Sequence, residues 1–532
     1  LATQYATGKG QKRDDSQAAQ WYRKAAEQGY AAAQFELGNF YAGGRGVSRN
    51  DKEAVRWYQK AAQQGNAGAQ FALGAMVAAG RGIAASDQDA AQWYRKAAEQ
   101  DHPEAQYNLA VRYLSGRGVA QNAEEAFRWF RKAAEQGLDL AELNVGRMYA
   151  EGQGIARNDA EAMRWYRAAA DRNLPLAQYS LGRMYAEGRG VPRDERQALL
   201  WFRRAADQDL PVAQLELANG YLNGRGVVLD EAKGLQLLER AAVGGSSEAQ
   251  LRLAERYLAG RGVSRDEQTG LNWLRLAAEQ GQVEAQYRLG VFHARDGQNE
   301  RLAADWYRKA AEQGHAASQA QLAAMYAKGI GVSQDERQAL RWFREAAQQG
   351  DAESEFNVGL FYAMGRGTLR DDGQAVVWLR KAAAQGLAAA QLNLGLMYAD
   401  GRGGLSRSEA QAAEWYRKAA DQNVSLAQVL LGLLYATGRG VPHDDQQAFS
   451  WFEKAANHNL PLAQYGLGMM YNHGRGVEQD RIKAHLWLDL AVSGGYVDAG
   501  QPLESVASRL REEERAQARR LAQEWRMANA RN

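Results

Sequence analysis

The chain has 532 residues, with Lys+Arg 66 against Asp+Glu 63 and a formal net charge of +3, so it lacks the strong basic field of a dedicated nucleic-acid or anionic-membrane binder. Hydrophobic residues at 45% and charged residues at 24% describe a folded globular composition, and no apolar run reaches the roughly 18 residues of a membrane-spanning helix. Zero cysteines exclude disulfides, thiolate metal sites and a cysteine nucleophile, while 56 glycines against 7 prolines ask for helices with regular stops.

At the start, Leu1 and Tyr5 fit two slots of a helix that is complete further on, so the first repeat reads as truncated. The chain opens inside a helix without an initiator Met or a signal peptide, and the true N-terminus is expected to be missing. Tryptophan then sets a period, the first thing to look for in a long chain. Trp21, Trp57, Trp93, Trp129, Trp165 and Trp201 stand 36 apart, Leu237 takes the next slot, and Trp273 returns. Trp306, Trp342, Trp378, Trp415, Trp451 and Trp487 follow after steps of 33, 36, 36, 37, 36 and 36, which makes fourteen units.

Each unit reads as two helices. In the first, helix A, the pattern Ala-Gln-x-x-Leu-Gly-x-x-Tyr places apolar residues on one stripe, as in Ala177, Gln178, Leu181, Gly182 and Tyr185. A Gly-Arg-Gly turn then stops it, as at Gly188, Arg189 and Gly190. Pro103, Pro175, Pro211 and Pro461 stand two residues before the Ala-Gln pair, where a first helical turn accepts a missing N–H. In the second, helix B, the residue seven before the Trp slot is Asp, Asn or Ser throughout, from Asp14 and Asn50 to Asn299 and Asp480, and is expected to cap the helix. Eight after the Trp slot comes Gly, Asn or Asp in every unit, a residue type that tolerates the left-handed C-terminal cap. The position four after the Trp slot is always Ala, and three before it is always Ala or Gly, which permits close helix packing.

Two units break the rhythm, by loss of the Gly-x-Gly turn around 293–299 and by an extra residue at 401–408. After Gly495 the pattern ends, and 502–527 reads as a capping helix or helix pair covering the last repeat's apolar face. The predicted organisation is an all-α stack over 1–500 with a C-terminal helical cap over 501–532.

The combination Ala-Gln-x-x-Leu-Gly-x-x-Tyr-x-x-Gly-x-Gly-Val, an Asp cap, then Ala-x-x-Trp-Tyr-x-Lys-Ala-Ala-x-Gln-Gly resembles the Sel1-like repeat family, relatives of the tetratricopeptide repeats. The resemblance covers roughly residues 1 to 500 and implies a right-handed α-solenoid, of bacterial type, acting as a scaffold or adaptor in protein assembly. It also implies that helix A lines the concave face. Members that bind or weakly hydrolyse β-lactams carry a cysteine framework that this chain lacks. An envelope-associated binder or weak hydrolase of peptidoglycan or β-lactam ligands is the alternative reading.

No catalytic motif stands out: there is no His-Glu-x-x-His, Walker loop or Ser-x-x-Lys, and Gly-Arg-Gly follows a helix rather than a strand. No catalytic residue, metal ligand or cofactor is expected. Four of the seven histidines, His443, His458, His473 and His485, fall in the last two units and read as solvated turn residues, and the Trp and Tyr columns read as core. The expected partner is a protein or extended peptide, with an acidic segment, and no nucleic acid. Its site is placed on the non-core slots of helix A: Asn108, Arg112, Asn144, Arg147, Arg183, Arg252, Arg256 and Arg288 as a basic strip with peptide-holding amides, then Asn357, Phe361, Asn393, Met397, Leu433 and Met470 as a strip that turns apolar. Export to the bacterial periplasm or beyond is favoured over the cytoplasm, since an exported chain without cysteine avoids mispaired thiols.

Overall fold

Helix B forms where the sequence places its signals. In Asp51–Gln63 the Asn50 side chain accepts from the amides of Lys52 and Glu53, and Asp51 and Glu53 lie against the positive end of the helix. Thirteen of the fourteen predicted cap residues accept such a bond. Asn299 does not: with the preceding turn shortened, its backbone sits at φ −131°, ψ 37° rather than in the extended conformation a cap needs. All fourteen stop residues have positive φ, including Asp101, Asn173, Asp209, Asn423 and Asn459. The four prolines begin their A helices.

A computed structural model of the protein describes residues 1–10, 12–295, 297 and 299–529, and every regular element among them is helical. The chain divides into two compact units, Leu1–Trp273 and Leu274–Asn532. In each unit, consecutive A and B helices pack as antiparallel pairs in an α-solenoid. In the first, Ala54, Ala61, Leu73 and Leu109 are fully enclosed, and the core runs from pair to pair as a series of small clusters. The glycine after the helix-A leucine admits an aromatic ring from helix B: a Cβ on Gly182 would stand 2.6 Å from Phe202. The second unit repeats this with Gly395 and Tyr416.

Asp296 and Gln298, in the shortened 293–299 turn, lie outside the described residues. The longer turn at 401–408 absorbs its extra residue with two successive left-handed glycines, Gly403 and Gly404. After the last B helix, Arg481–Ser493, come a short turn of 3-10 helix and the helices Gly500–Ala507 and Glu512–Asn529. The final helix lies against the last B helix, with Trp525 edge-on to Trp487 at 5.7 Å and Arg526 bonded to Asp489 at 2.6 Å. Of the predicted 501–532 cap, 530–532 lie outside the described residues.

Candidate functional site

With the buried Ala (or Ser) of the Ala-Gln pair as position zero, positions 0, +4 and +7 of helix A fall on one stripe and face the core, while −1, +3 and +6 face away. This separates residues that the sequence analysis had placed together. Phe361, Met397 and Met470 occupy position +7 and are 3%, 4% and 5% exposed, whereas Leu433, at +6, is 41% exposed. The first three are therefore core residues and do not serve as partner anchors. The outward apolar row is the +6 row of the second unit: Ala324, Leu360, Leu396, Leu433 and Met469, all exposed or half-buried. Beside it the +3 row reads Gln321, Asn357, Asn393, Leu430 and Gly466. The ten +3 and +6 positions of these five A helices thus carry no charge, in a chain where 24% of residues are charged, while the −1 row includes the exposed Glu353.

The arginines divide in the same way. Arg112 and Arg256 stand at +7, and their guanidinium groups serve the structure: Arg112 pairs with Asp87 and holds that carboxyl below its usual pKa, and Arg256 bonds Glu231 at 3.2 Å. At the outward positions, Arg147 donates to Asn144 at 2.8 Å, Arg183 to Glu187 at 3.0 Å, Arg252 to Glu248 at 2.8 Å and Arg288 to Glu284 at 2.6 Å. Apart from Arg147, which bonds a neutral amide, the outward arginines of the basic strip are thus held in ion pairs, and Arg147 and Arg183 are its most exposed members in the first unit. Glu216 interrupts it at +3 of the helix between. Asn108, Asn144, Asn357 and Asn393 each donate one amide hydrogen to the carbonyl four residues back, at 2.7 to 2.8 Å. The second hydrogen of Asn357 and of Asn393 has no partner among the described residues.

Several recurring groups were missed. The Gly-Arg-Gly arginine is more than a companion of the helix stop: Arg45, Arg81, Arg117, Arg189, Arg366, Arg402, Arg439 and Arg475 each reach the acidic first residue of the preceding B helix, 30 positions back. The glycine after it packs on the same helix, so that a Cβ on Gly118 would stand 2.0 Å from the Asp87 carbonyl oxygen. At the other end of most pairs, the buried glutamine of helix A donates to the previous pair's last turn and accepts from a glutamine ending its own B helix; in the last two pairs, where His458 and Gly494 stand at that end, the Oε1 of Gln428 and of Gln464 has no partner among the described residues. Gln106, for instance, donates to the Ala98 carbonyl at 3.1 Å and accepts from Gln136 at 2.8 Å. Two of these rungs carry a carboxylate: Glu142, paired with Arg172, and Glu355, which accepts from Gln385 at 2.8 Å. The tryptophan column is largely core, as expected: Trp57, Trp165, Trp201, Trp342, Trp378, Trp451 and Trp487 are buried, while Trp21 is exposed, and Lys60 sits 4.4 Å from the Trp57 ring.

His485 is not a solvated turn residue. It is buried under the C-terminal helices, its Nδ1 has no partner, and desolvation lowers its pKa. Among the described residues, no group of three or more His, Asp and Glu side chains converges as a metal site would require. Among the described residues, no helix is long and apolar enough to cross a membrane. Two clefts open between neighbouring A helices, one of ≈ 410 Å³ beside Asn219, Arg252 and Arg256 and one of ≈ 290 Å³ beside Ala320 and Phe343.

The family model of the Sel1 repeat matches fourteen consecutive segments, from 1–30 and 31–66 through 425–460 and 461–496. Among solved structures, the chain is 32% identical to c5321, a protective antigen present in uropathogenic Escherichia coli strains and displaying an SLR fold. That match covers 96% of this chain and 94% of the other, with a TM-score of 0.48. It is also 32% identical to a Sel1 repeat protein from Oxalobacter formigenes, over 63% of this chain and 87% of that one, with a TM-score of 0.40. No curated protein matches. The fourteen matched segments coincide with the fourteen helix pairs, and the chain belongs to the Sel1 repeat family.

Proposed function

We propose that the protein is a non-enzymatic scaffold that binds a partner protein, through an extended segment, on its outward helix-A face. The observation that carries the reading is the uncharged double row of the second unit, from Gln321 and Ala324 to Gly466 and Met469. A solvated face with no function to serve would carry the charges found at the same positions of the first unit, such as Arg147, Arg183, Glu216 and Arg252. Apolar anchors of the partner meet Leu360, Leu396 and Leu433, and unspent amides of Asn357 and Asn393 bond its backbone. An acidic stretch of the partner meets Arg147 and Arg183, whose guanidinium forks suit carboxylates. Many small contacts across repeats supply affinity and register.

The test is affinity capture from the source cell's lysate, read by mass spectrometry, with wild type, Leu396→Glu/Leu433→Glu and Arg147→Glu/Arg183→Glu, each shown folded by circular dichroism. The expected result is a partner held by wild type and lost from the leucine variant, with weakened capture by the arginine variant. Undiminished capture by both variants moves the site off this face, and no capture by wild type removes the scaffold reading.

A further inference from the structure

Twelve of the thirteen A helices after the first repeat carry a large apolar or aromatic residue at position +2, among them Phe35, Phe71, Tyr107, Tyr287, Phe356 and Tyr465. The helix Ala316–Lys328 has Ala320 there. Where the position holds a ring and the residue following the tryptophan of the same pair is aromatic, the two pack together: Phe35 lies 6.0 Å from Tyr58, Tyr107 5.4 Å from Phe130, and Tyr287 6.0 Å from Tyr307. It also reaches the start of the next A helix, as Phe35 does at Gly68. Phe343, the corresponding residue of the tenth pair, has no ring on that side.

In place of the ring there is a cavity of ≈ 290 Å³, between the A helices Ala316–Lys328 and Ala352–Met364. Its lining includes Ala320, Ala324, Phe343, Ser354, Asn357 and Phe361. The volume is near the lower end of ligand pockets and far above what a water needs. Phe343 and Phe361 meet edge-to-face at 5.6 Å. A second observation points the same way. Ser354 stands in the slot that is usually Ala, is 1% exposed, and its hydroxyl is buried with no hydrogen-bond partner. A buried hydroxyl in that condition is an unmet acceptor and donor.

We propose that this cavity receives an aromatic side chain from the bound partner, tyrosine by preference. Its ring takes the place that Ala320 leaves open, against Phe343 and Phe361, and its phenolic O–H meets Ser354 Oγ. The inference rests on the scaffold reading and gives it a specific anchor. Aromatic rings seated in a preformed slot carry much of the energy of an interface. The site adjoins the uncharged rows at Ala324 and Asn357, so a segment that buries its ring here continues along the face already described.

The probes are p-cresol, the tyrosine side-chain analogue, and toluene, titrated against the full chain by ligand-observed NMR. Wild type is expected to bind both saturably, with p-cresol the tighter. Ala320→Tyr, which rebuilds the ring of the other helices, abolishes both. Ser354→Ala weakens p-cresol about fivefold, the worth of one net hydrogen bond, and leaves toluene unchanged. Should Ala320→Tyr fail to fold, Ala320→Leu fills the same space. Failure of wild type to bind either probe, or undiminished binding by a folded position-320 variant, overturns the proposal. Loss of p-cresol binding equal to that of toluene in Ser354→Ala overturns the tyrosine preference. If the probes fail while a partner is still captured, the cavity is discarded and the scaffold survives. If the probes bind and no partner is captured, the partner half of the proposal falls with the scaffold.

Discussion

The rung formed by Glu142 and Arg172 offers a quantitative test. Glu142 is almost fully buried, while the Arg172 side chain is 53% exposed, and the Arg172 Nε stands 3.3 Å from the carboxylate. Unlike a glutamine, Glu142 has no N–H for the carbonyl of the previous pair, and its Oε2 lacks a hydrogen-bond partner. Desolvation raises its pKa, and Arg172 works against that rise. Removing one partner of a fully buried pair costs about 3–5 kcal/mol; with Arg172 half in water the attraction is screened, and Arg172→Gln should cost about 2 kcal/mol. That is about a 30-fold larger opening equilibrium. Glu142→Gln/Arg172→Gln rebuilds the neutral rung seen at Gln106 and Gln136, and should lie within about 0.5 kcal/mol of wild type. The assay is hydrogen exchange at the Asn173 and Leu174 amides, which donate to Ala170 and Ala169 at the end of the adjoining B helix. The pH dependence has a fixed sign. A carboxyl whose folded pKa is raised binds its proton more tightly when folded, so the penalty of Arg172→Gln is full above the folded pKa. It shrinks as pH falls toward the unfolded value of about 4.3. An Arg172→Gln variant that opens no faster than wild type, or a double variant that opens as readily as the single, refutes the reasoning.

Two other outcomes follow from the geometry. Gly118 has φ +76° and no room for a Cβ beside Asp87, whereas Gly29 has φ +93° with nothing within 4 Å; Gly29→Ala should cost about 1–2 kcal/mol from backbone strain alone, and Gly118→Ala clearly more, as compared by urea unfolding. Equal losses would mean that the turn does not bear on the preceding helix as described. The Asp159 carboxyl is lowered from 3.8 to about 2, chiefly by hydrogen bonds from Arg157 and Arg189. Its folded pKa lies below its unfolded one, so its contribution is present above 3.8 and lost as pH falls through about 2. The stability gap between wild type and Asp159→Asn should therefore close across that window, and a gap that persists at the acid end counts against the Arg157–Asp159–Arg189 cluster.

The fold was legible because its signals are local and recur. Caps, left-handed stops and small-residue slots each state one backbone conformation, and the period sums them. Asn299 failed as a cap because capping also needs the preceding turn to deliver an extended backbone, which residue type does not report. The site was less legible. Positions +6 and +7 differ by about 100° around a helix, and treating them as one slot put Phe361, Met397 and Met470 on the surface when they are core. The pairing of Arg252 and Arg288 had a visible signal in Glu248 and Glu284, four residues earlier on the same helix. So did the turn arginines, whose acidic partners recur 30 residues before them. His485 was misplaced although Leu486, Trp487 and Leu488 follow it directly. The cavity at Ala320 shows in sequence only as one small residue in a column of large ones, and its enclosure by Phe343 and Ser354 requires the fold.

The two kinds of tie that recur along the chain differ in portability. A glutamine rung closes within one helix pair, so a pair copied or moved along the chain carries both halves with it, and the Glu142–Arg172 rung travels already neutralised. The turn arginine closes on the pair before it, so its partner depends on which neighbour it is given. The fourth pair, whose B helix begins with Ala123 instead of an acid, is followed by a turn carrying Gln153 instead of arginine. A pair that brings a turn arginine and is moved to follow the fourth would leave that arginine facing Ala123, with its own rung undisturbed.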